Sequence, residues 1–74
     1  MIEIIEINRE PIELHKILKF HGLVASGGEA KMLIDEGLVL VNKQIEMRKR
    51  RKMLAGDQIE FDGQTFELVL LESS

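Results

Sequence analysis

The sequence predicts an α+β fold, two short helices packed on a small, mostly antiparallel twisted sheet. Three observations carry that expectation. Apolar residues recur at helical spacing between Pro11 and Gly37, then alternate at strand spacing from Leu38 onward. Ser26-Gly27-Gly28-Glu29 has the form of a capping box at a helix start. Asp62-Gly63 lies between two β-rich runs, a strong short-range hairpin signal.

Ile2-Glu3-Ile4-Ile5-Glu6-Ile7 is β-branched and roughly alternating, so it reads as an edge strand with a register slip at Ile4-Ile5. Pro11 opens a helical stretch, proline being tolerated in a first turn. Leu14, Ile17, Leu18 and His21 share one face, with His21 packed or partly buried, while Lys16, Lys19 and Phe20 lie roughly opposite. Gly22 ends this helix. A tight link through Leu23-Val24-Ala25 leads to a second helix that buries Ala30, Leu33 and Ile34, turns Met32 outward and ends at Gly37. At about nine and eleven residues, neither helix is stable alone, so they pack on each other or on a sheet. Leu38–Val41 is a strand, Asn42-Lys43 a tight turn and Gln44–Glu46 a short return strand. Ala55-Gly56-Asp57 turns the chain into Gln58–Phe61, Thr65–Leu71 is its hairpin partner, and Glu72-Ser73-Ser74 is a frayed tail.

Composition narrows the class. The 74 residues form a single small domain, residues 1–74. No cysteine is present, so neither a disulfide nor a thiolate metal site supports the fold, and a reducing cytosol suits the chain. Apolar residues make up 45%, enough for a globular core. The longest apolar stretches, Leu38–Val41 and Leu68–Leu71, are far short of a membrane span, and no leader pattern is seen. The expected location is the cytoplasm.

Charge is the most informative property. Arg48-Lys49-Arg50-Arg51-Lys52 holds half of the ten Lys and Arg residues of a chain whose net charge is −3. Between Gln44 and Leu54 the lone acid is Glu46. Such a run repels itself and gains from a polyanion, nucleic-acid phosphate being the commonest in a cell. On that basis, neutralising Arg48, Arg50 and Arg51 should leave folding unharmed or slightly improved. The remaining charge is blocked: residues 1–14 carry one base and four acids, residues 15–56 nine bases and four acids, and residues 57–74 five acids and no base. Local potential, not net charge, attracts a phosphate backbone. The plain alternative is a solvated basic loop with no ligand.

Catalytic and metal patterns are absent from the sequence. His15 and His21 are six positions apart on one helix and so point about 120° apart, unsuited to shared ligation. The carboxylates show no metal-loop spacing. Gly27-Gly28 lacks the frame of either glycine-rich phosphate loop. It does leave the amides at a helix N-terminus open beside the positive end of the helix dipole, with Lys31 one turn in. Lys16 and Lys19 make a small basic patch on the first helix. Tyrosine and tryptophan are missing, which directs recognition toward phosphates, 2′-hydroxyls and helical shape rather than base stacking. No enzyme activity, cofactor or metal is expected.

Four segments, in order, resemble a known family: Leu14 to Gly22, Ser26 to Gly37, Leu38 to Asn42 and Ala55 to Ile59. Ser26-x-x-x-Ala30, Gly37-x-Val39-x-Val41-Asn42 and Gly56-Asp57 are similar to the marks of the S-four-type RNA-binding domain, named after ribosomal small-subunit protein four and also called the alpha-L motif. The match covers about residues 13–61, and the chain looks most like the stand-alone bacterial YbcJ-like group. Many such domains carry Arg directly after the helix-two Ser, where this chain has Gly27. The resemblance implies binding of structured RNA, ribosomal RNA foremost, with ribosomal particles as further candidate partners; the protein is expected to be a monomer without catalytic activity. Lys16, Lys19, Ser26, Gly27, Gly28 and Lys31 would form the helical half of the site. Asn42, Lys43, Arg48, Lys49, Arg50, Arg51 and Lys52 would form the loop half. The alternative from another class is a protein-interaction module that docks its basic loop on an acidic partner.

Overall fold

The computed structural model describes residues 2–71. The expected tail at Glu72-Ser73-Ser74 lies outside them. Two helices pack on one face of a mostly antiparallel five-stranded sheet. The elements are β1 (Ile2–Ile7), β2 (Ile12–Glu13), α1 (Leu14–Phe20), α2 (Gly27–Asp35), β3 (Val39–Val41), β4 (Gln44–Ile45), β5 (Lys52–Met53), β6 (Gln58–Phe61) and β7 (Gln64–Leu70). The sheet order is β1-β7-β6-β3-β4, and its β1–β7 pair is parallel. A second, two-residue ladder joins β2 to β5. No helix among the described residues is long and apolar enough to cross a membrane.

Strand alternation sorts the sheet into two faces. Ile5, Ile7, Val39, Val41, Ile59, Phe66 and Leu68 point inward and are buried with Leu14, Ile17 and Leu18 of α1 and Ala30 and Ile34 of α2. Both tight turns form as the sequence suggests. Asn42 and Lys43 take φ 51° and 69°, and Asp62 and Gly63 take 54° and 75°, the left-handed pairs that match hairpin twist.

Both helices end alike. At Gly22 (φ 71°) the Leu23 amide donates to Leu18 O and the Gly22 amide to Lys19 O; at Gly37 (φ 75°) Leu38 donates to Leu33 O and Gly37 to Ile34 O. These are Schellman closures, which need a residue tolerant of positive φ. The start of α2 is capped as expected: Ser26 Oγ accepts from the Glu29 amide at 3.1 Å. Glu29 reaches back one residue further than expected and accepts from the Ala25 amide at 3.1 Å. Ser26→Ala should therefore cost roughly 0.5–2 kcal/mol, and Ser26→Gly only a few tenths. Urea denaturation of the two variants checks this, and equal losses would contradict it.

The start of α1 differs from the expectation. The helix begins at Leu14, three residues after Pro11, because Ile12-Glu13 pairs with Lys52-Met53 as a strand. Glu13 gives no side-chain cap. Instead the Leu14 and His15 amides donate to the carbonyls of Arg51 (2.9 Å) and Lys49 (3.2 Å). The basic run thus supplies the acceptors that a helix start otherwise lacks. The helices are seven and nine residues long, shorter than expected, α1 chiefly at its start and α2 at its end, where Asp35 is the last helical residue. His21, expected to be packed, is exposed at the α1 C-terminus.

Candidate nucleic-acid interface

The basic run is not five free charges. Glu46 is 6% exposed and lies beneath it. Arg48 clamps this carboxylate with Nε to Oε2 at 3.0 Å and Nη2 to Oε1 at 3.1 Å, and its amide also donates to Oε2 at 3.0 Å. Arg51 Nη1 completes the cluster at 2.7 Å from Oε1. Hydrogen bonds from Arg48, then those from Arg51, outweigh the burial of Glu46 and hold its carboxyl at about 2, below the ordinary 4.5. The Arg48 guanidinium is correspondingly raised by Glu46. The loop conformation is therefore built around one buried acid, the lone acid of its sequence neighbourhood.

This cluster sets a pH dependence. The folded pKa of Glu46 lies below its unfolded value, so the stabilisation is present above about pH 5 and is lost as pH falls toward 2. A depression of this size corresponds to about 3 kcal/mol. Urea midpoints between pH 5 and pH 2 should fall more steeply for the native chain than for Glu46→Gln. Parallel pH profiles for the two proteins would contradict the assignment.

The other bases are distributed along an antiparallel helix pair. At one end Lys49 Nζ meets Asp35 Oδ2 at 2.9 Å, joining the loop to the last turn of α2. At the other end the Lys19 side chain lies beside Gly27, where an added Cβ would stand 4.0 Å from Lys19 Cδ. Lys31 is four residues from both Gly27 and Asp35, so it falls between these two points on the same stripe of α2. On α1, Lys16 pairs with Glu13 at 3.6 Å, and His15 Nε2 lies 3.1 Å from the same carboxylate oxygen. Burial raises the Glu13 pKa, but the His15 hydrogen bond and the charges of Lys16, His15 and Arg50 bring it below the ordinary value. Arg50 lies near the start of α1, between the Lys49 and Arg51 carbonyls that accept from the His15 and Leu14 amides. Arg48, Arg50, Arg51 and Lys52 line an open cleft of about 590 Å³.

The arrangement brings together Lys16, Lys19, Gly27, Lys31, Lys49 and Arg50, with Arg48, Arg51 and Lys52 around the cleft. Ser26 and Gly28 sit exposed at the α2 start. Asn42 and Lys43 stand apart, on the β3–β4 turn at the end of the ladder opposite Glu46. The Asn42 side chain is engaged within the fold, donating to Asp57 Oδ1 at 3.1 Å and accepting from the Gln58 amide at 2.9 Å. Two of the family-like sequence marks, Asn42 and Asp57, therefore meet as a strut. Among the described residues, Lys19, Lys31, Lys43, Arg50 and Lys52 have no carboxylate within 4.0 Å.

The S4 domain family matches residues 5–69, nearly the whole chain, with this helix pair and loop inside the match. The chain belongs to the S4-domain family. The chain is similar to YbcJ of Escherichia coli (strain K12), to which it is 41% identical over 58 residues, 78% of this chain and 83% of YbcJ. RlbA of Bacillus subtilis (strain 168), named as a probable ribosome maturation protein, is 41% identical over 59 residues, 80% of this chain and 83% of RlbA. The solution structure of E. coli YbcJ superposes with a TM-score of 0.68 at 37% identity, covering 89% of this chain and 85% of YbcJ. That structure is described as revealing an alphaL motif involved in RNA binding. The S4-domain assignment agrees with the family that the sequence resembles.

Proposed function

We propose that this protein is a monomeric, non-catalytic, cytoplasmic RNA-binding protein that recognises structured RNA, ribosomal RNA foremost. The observation that carries the reading is the continuity of Lys19, Lys31, Arg50 and Lys52, bases without carboxylate partners among the described residues, along the helix pair and cleft. Phosphates would meet Arg50 as a fork and the lysines as point charges. Arg48, whose side chain is 72% exposed, retains donors that Glu46 does not use. Arg51 is assigned to holding the loop. Lys19 brings a cation to the α2 start, where Gly27 replaces the arginine common in such domains. The Ser26 hydroxyl accepts one bond and keeps its proton to donate. Lys43 is a peripheral contact and Asn42 a support. The RNA-binding description of the YbcJ motif and the name of RlbA support the same reading by kinship.

The test is competition at matched ionic strength. A ribosomal RNA fragment should displace heparin and an acidic peptide, and amide shifts on RNA titration should cover Lys16, Lys19 and Lys31 together with the loop. Equal binding of the acidic peptide would favour the protein-docking alternative, and shifts confined to the loop would remove the helices from the site.

A further inference from the structure

The five-stranded sheet has a second face that neither helix covers. Register defines it row by row. Ile2, Thr65, Glu60, Leu40 and Ile45 lie side by side across all five strands. Ile4, Glu67 and Gln58 form the next row, and Glu6 with Val69 the one beyond. An open sheet face ordinarily alternates to polar residues on the water side. Half of these ten positions are apolar instead, with Ile45 62% and Ile4 56% exposed. Three positions are glutamates and none is a base.

We propose that this outer sheet face is a docking surface for an extended, cationic polypeptide segment carrying apolar side chains. Charge selects the occupant. Glu6, Glu60 and Glu67 repel RNA and anionic lipid surfaces alike. A two-fold pairing of the face with a second copy would oppose the same three carboxylates to themselves, a like-charge cost. A basic segment neutralises them while apolar side chains on the same face of the segment cover the isoleucines. Strand spacing and rise give a flat area of about 400 Å², roughly half of what a stable interface uses per partner. The complex is accordingly weak and salt-sensitive. The proposal does not rest on RNA binding, since it uses the opposite side of the sheet.

Methyl NMR of the full chain tests it, with a synthetic eight-residue Lys-Val peptide of repeat Lys-Lys-Val-Val, which in an extended strand puts both residue types on each face, as probe and the corresponding Glu-Val peptide as control. Shifts should appear at Ile2, Ile4, Leu40, Ile45 and Val69 with the Lys-Val peptide alone. Changing Glu60 and Glu67 together to Gln, which keeps shape and removes charge, should weaken binding about tenfold. Absence of shifts with Lys-Val, shifts located on the helices, equal response to Glu-Val, or unchanged affinity of the Gln variant would each overturn it. Shifts that vary with dilution of the protein alone would assign the face to a second copy and also overturn it.

Discussion

Arg51→Gln lowers folding stability by about 2–4 kcal/mol at neutral pH, the loss expected when one partner of a buried ion cluster is removed and the other is stranded. The Arg51–Glu46 contact is the shortest in the cluster at 2.7 Å, and the Glu46 side chain is 8% exposed. Arg48 continues to hold the carboxylate, which keeps the loss near the lower end of the range. Arg50→Gln, beside it in sequence but with no carboxylate within 4.0 Å among the described residues, changes stability by less than about 0.5 kcal/mol. Denaturant titrations of the two variants at pH 7 decide the matter. Equal stabilities would mean that Glu46 is not held as described. The sequence-based expectation that neutralising Arg48, Arg50 and Arg51 leaves folding unharmed is thereby reversed: two of the three bases support a buried acid.

Changing Lys19, Lys31, Arg50 and Lys52 together to Gln should reduce the slope of log affinity against log salt by about 3. A change of that size makes RNA binding roughly 1,000-fold weaker at 0.1 M salt while the difference fades toward 1 M. Folding should be little affected, because none of these bases has a carboxylate partner within 4.0 Å among the described residues. Filter binding or fluorescence anisotropy over a salt series measures the slope. An unchanged slope in a folded variant would remove this surface from the RNA reading.

Local signals in the sequence were sufficient for the features that are locally determined. The Ser26 cap, the closures at Gly22 and Gly37, the turns at Asn42-Lys43 and Asp62-Gly63, and the strand Gln58–Phe61 each follow from a few adjacent residues. The start of α1 was not legible, because its amides are satisfied by Lys49 and Arg51, distant in sequence. The β2–β5 ladder is two residues long and leaves no periodic trace. His21 fits the apolar spacing of α1 but sits where the helix ends, so the helical projection no longer holds it inward. For the candidate site, the sequence located the cations but not their partners. A lone glutamate within a basic run was the available signal for the clamp, and it was visible at Glu46. The pairing of Lys49 with Asp35 joins distant positions and left none.

The parallel pairing of β1 with β7 bears on how the molecule assembles. Ile2 lies opposite Thr65, so the first strand closes against the strand at the far end of the described sequence. The helix hairpin and the β3–β4 and β6–β7 hairpins are contiguous stretches of chain that form on short loops. β1 has to wait for β7, and its docking closes a loop of about 60 residues. Assembly of this small domain is accordingly governed by one late, long-range event, and its folding rate belongs with mixed α/β domains rather than with fast helical ones of the same length.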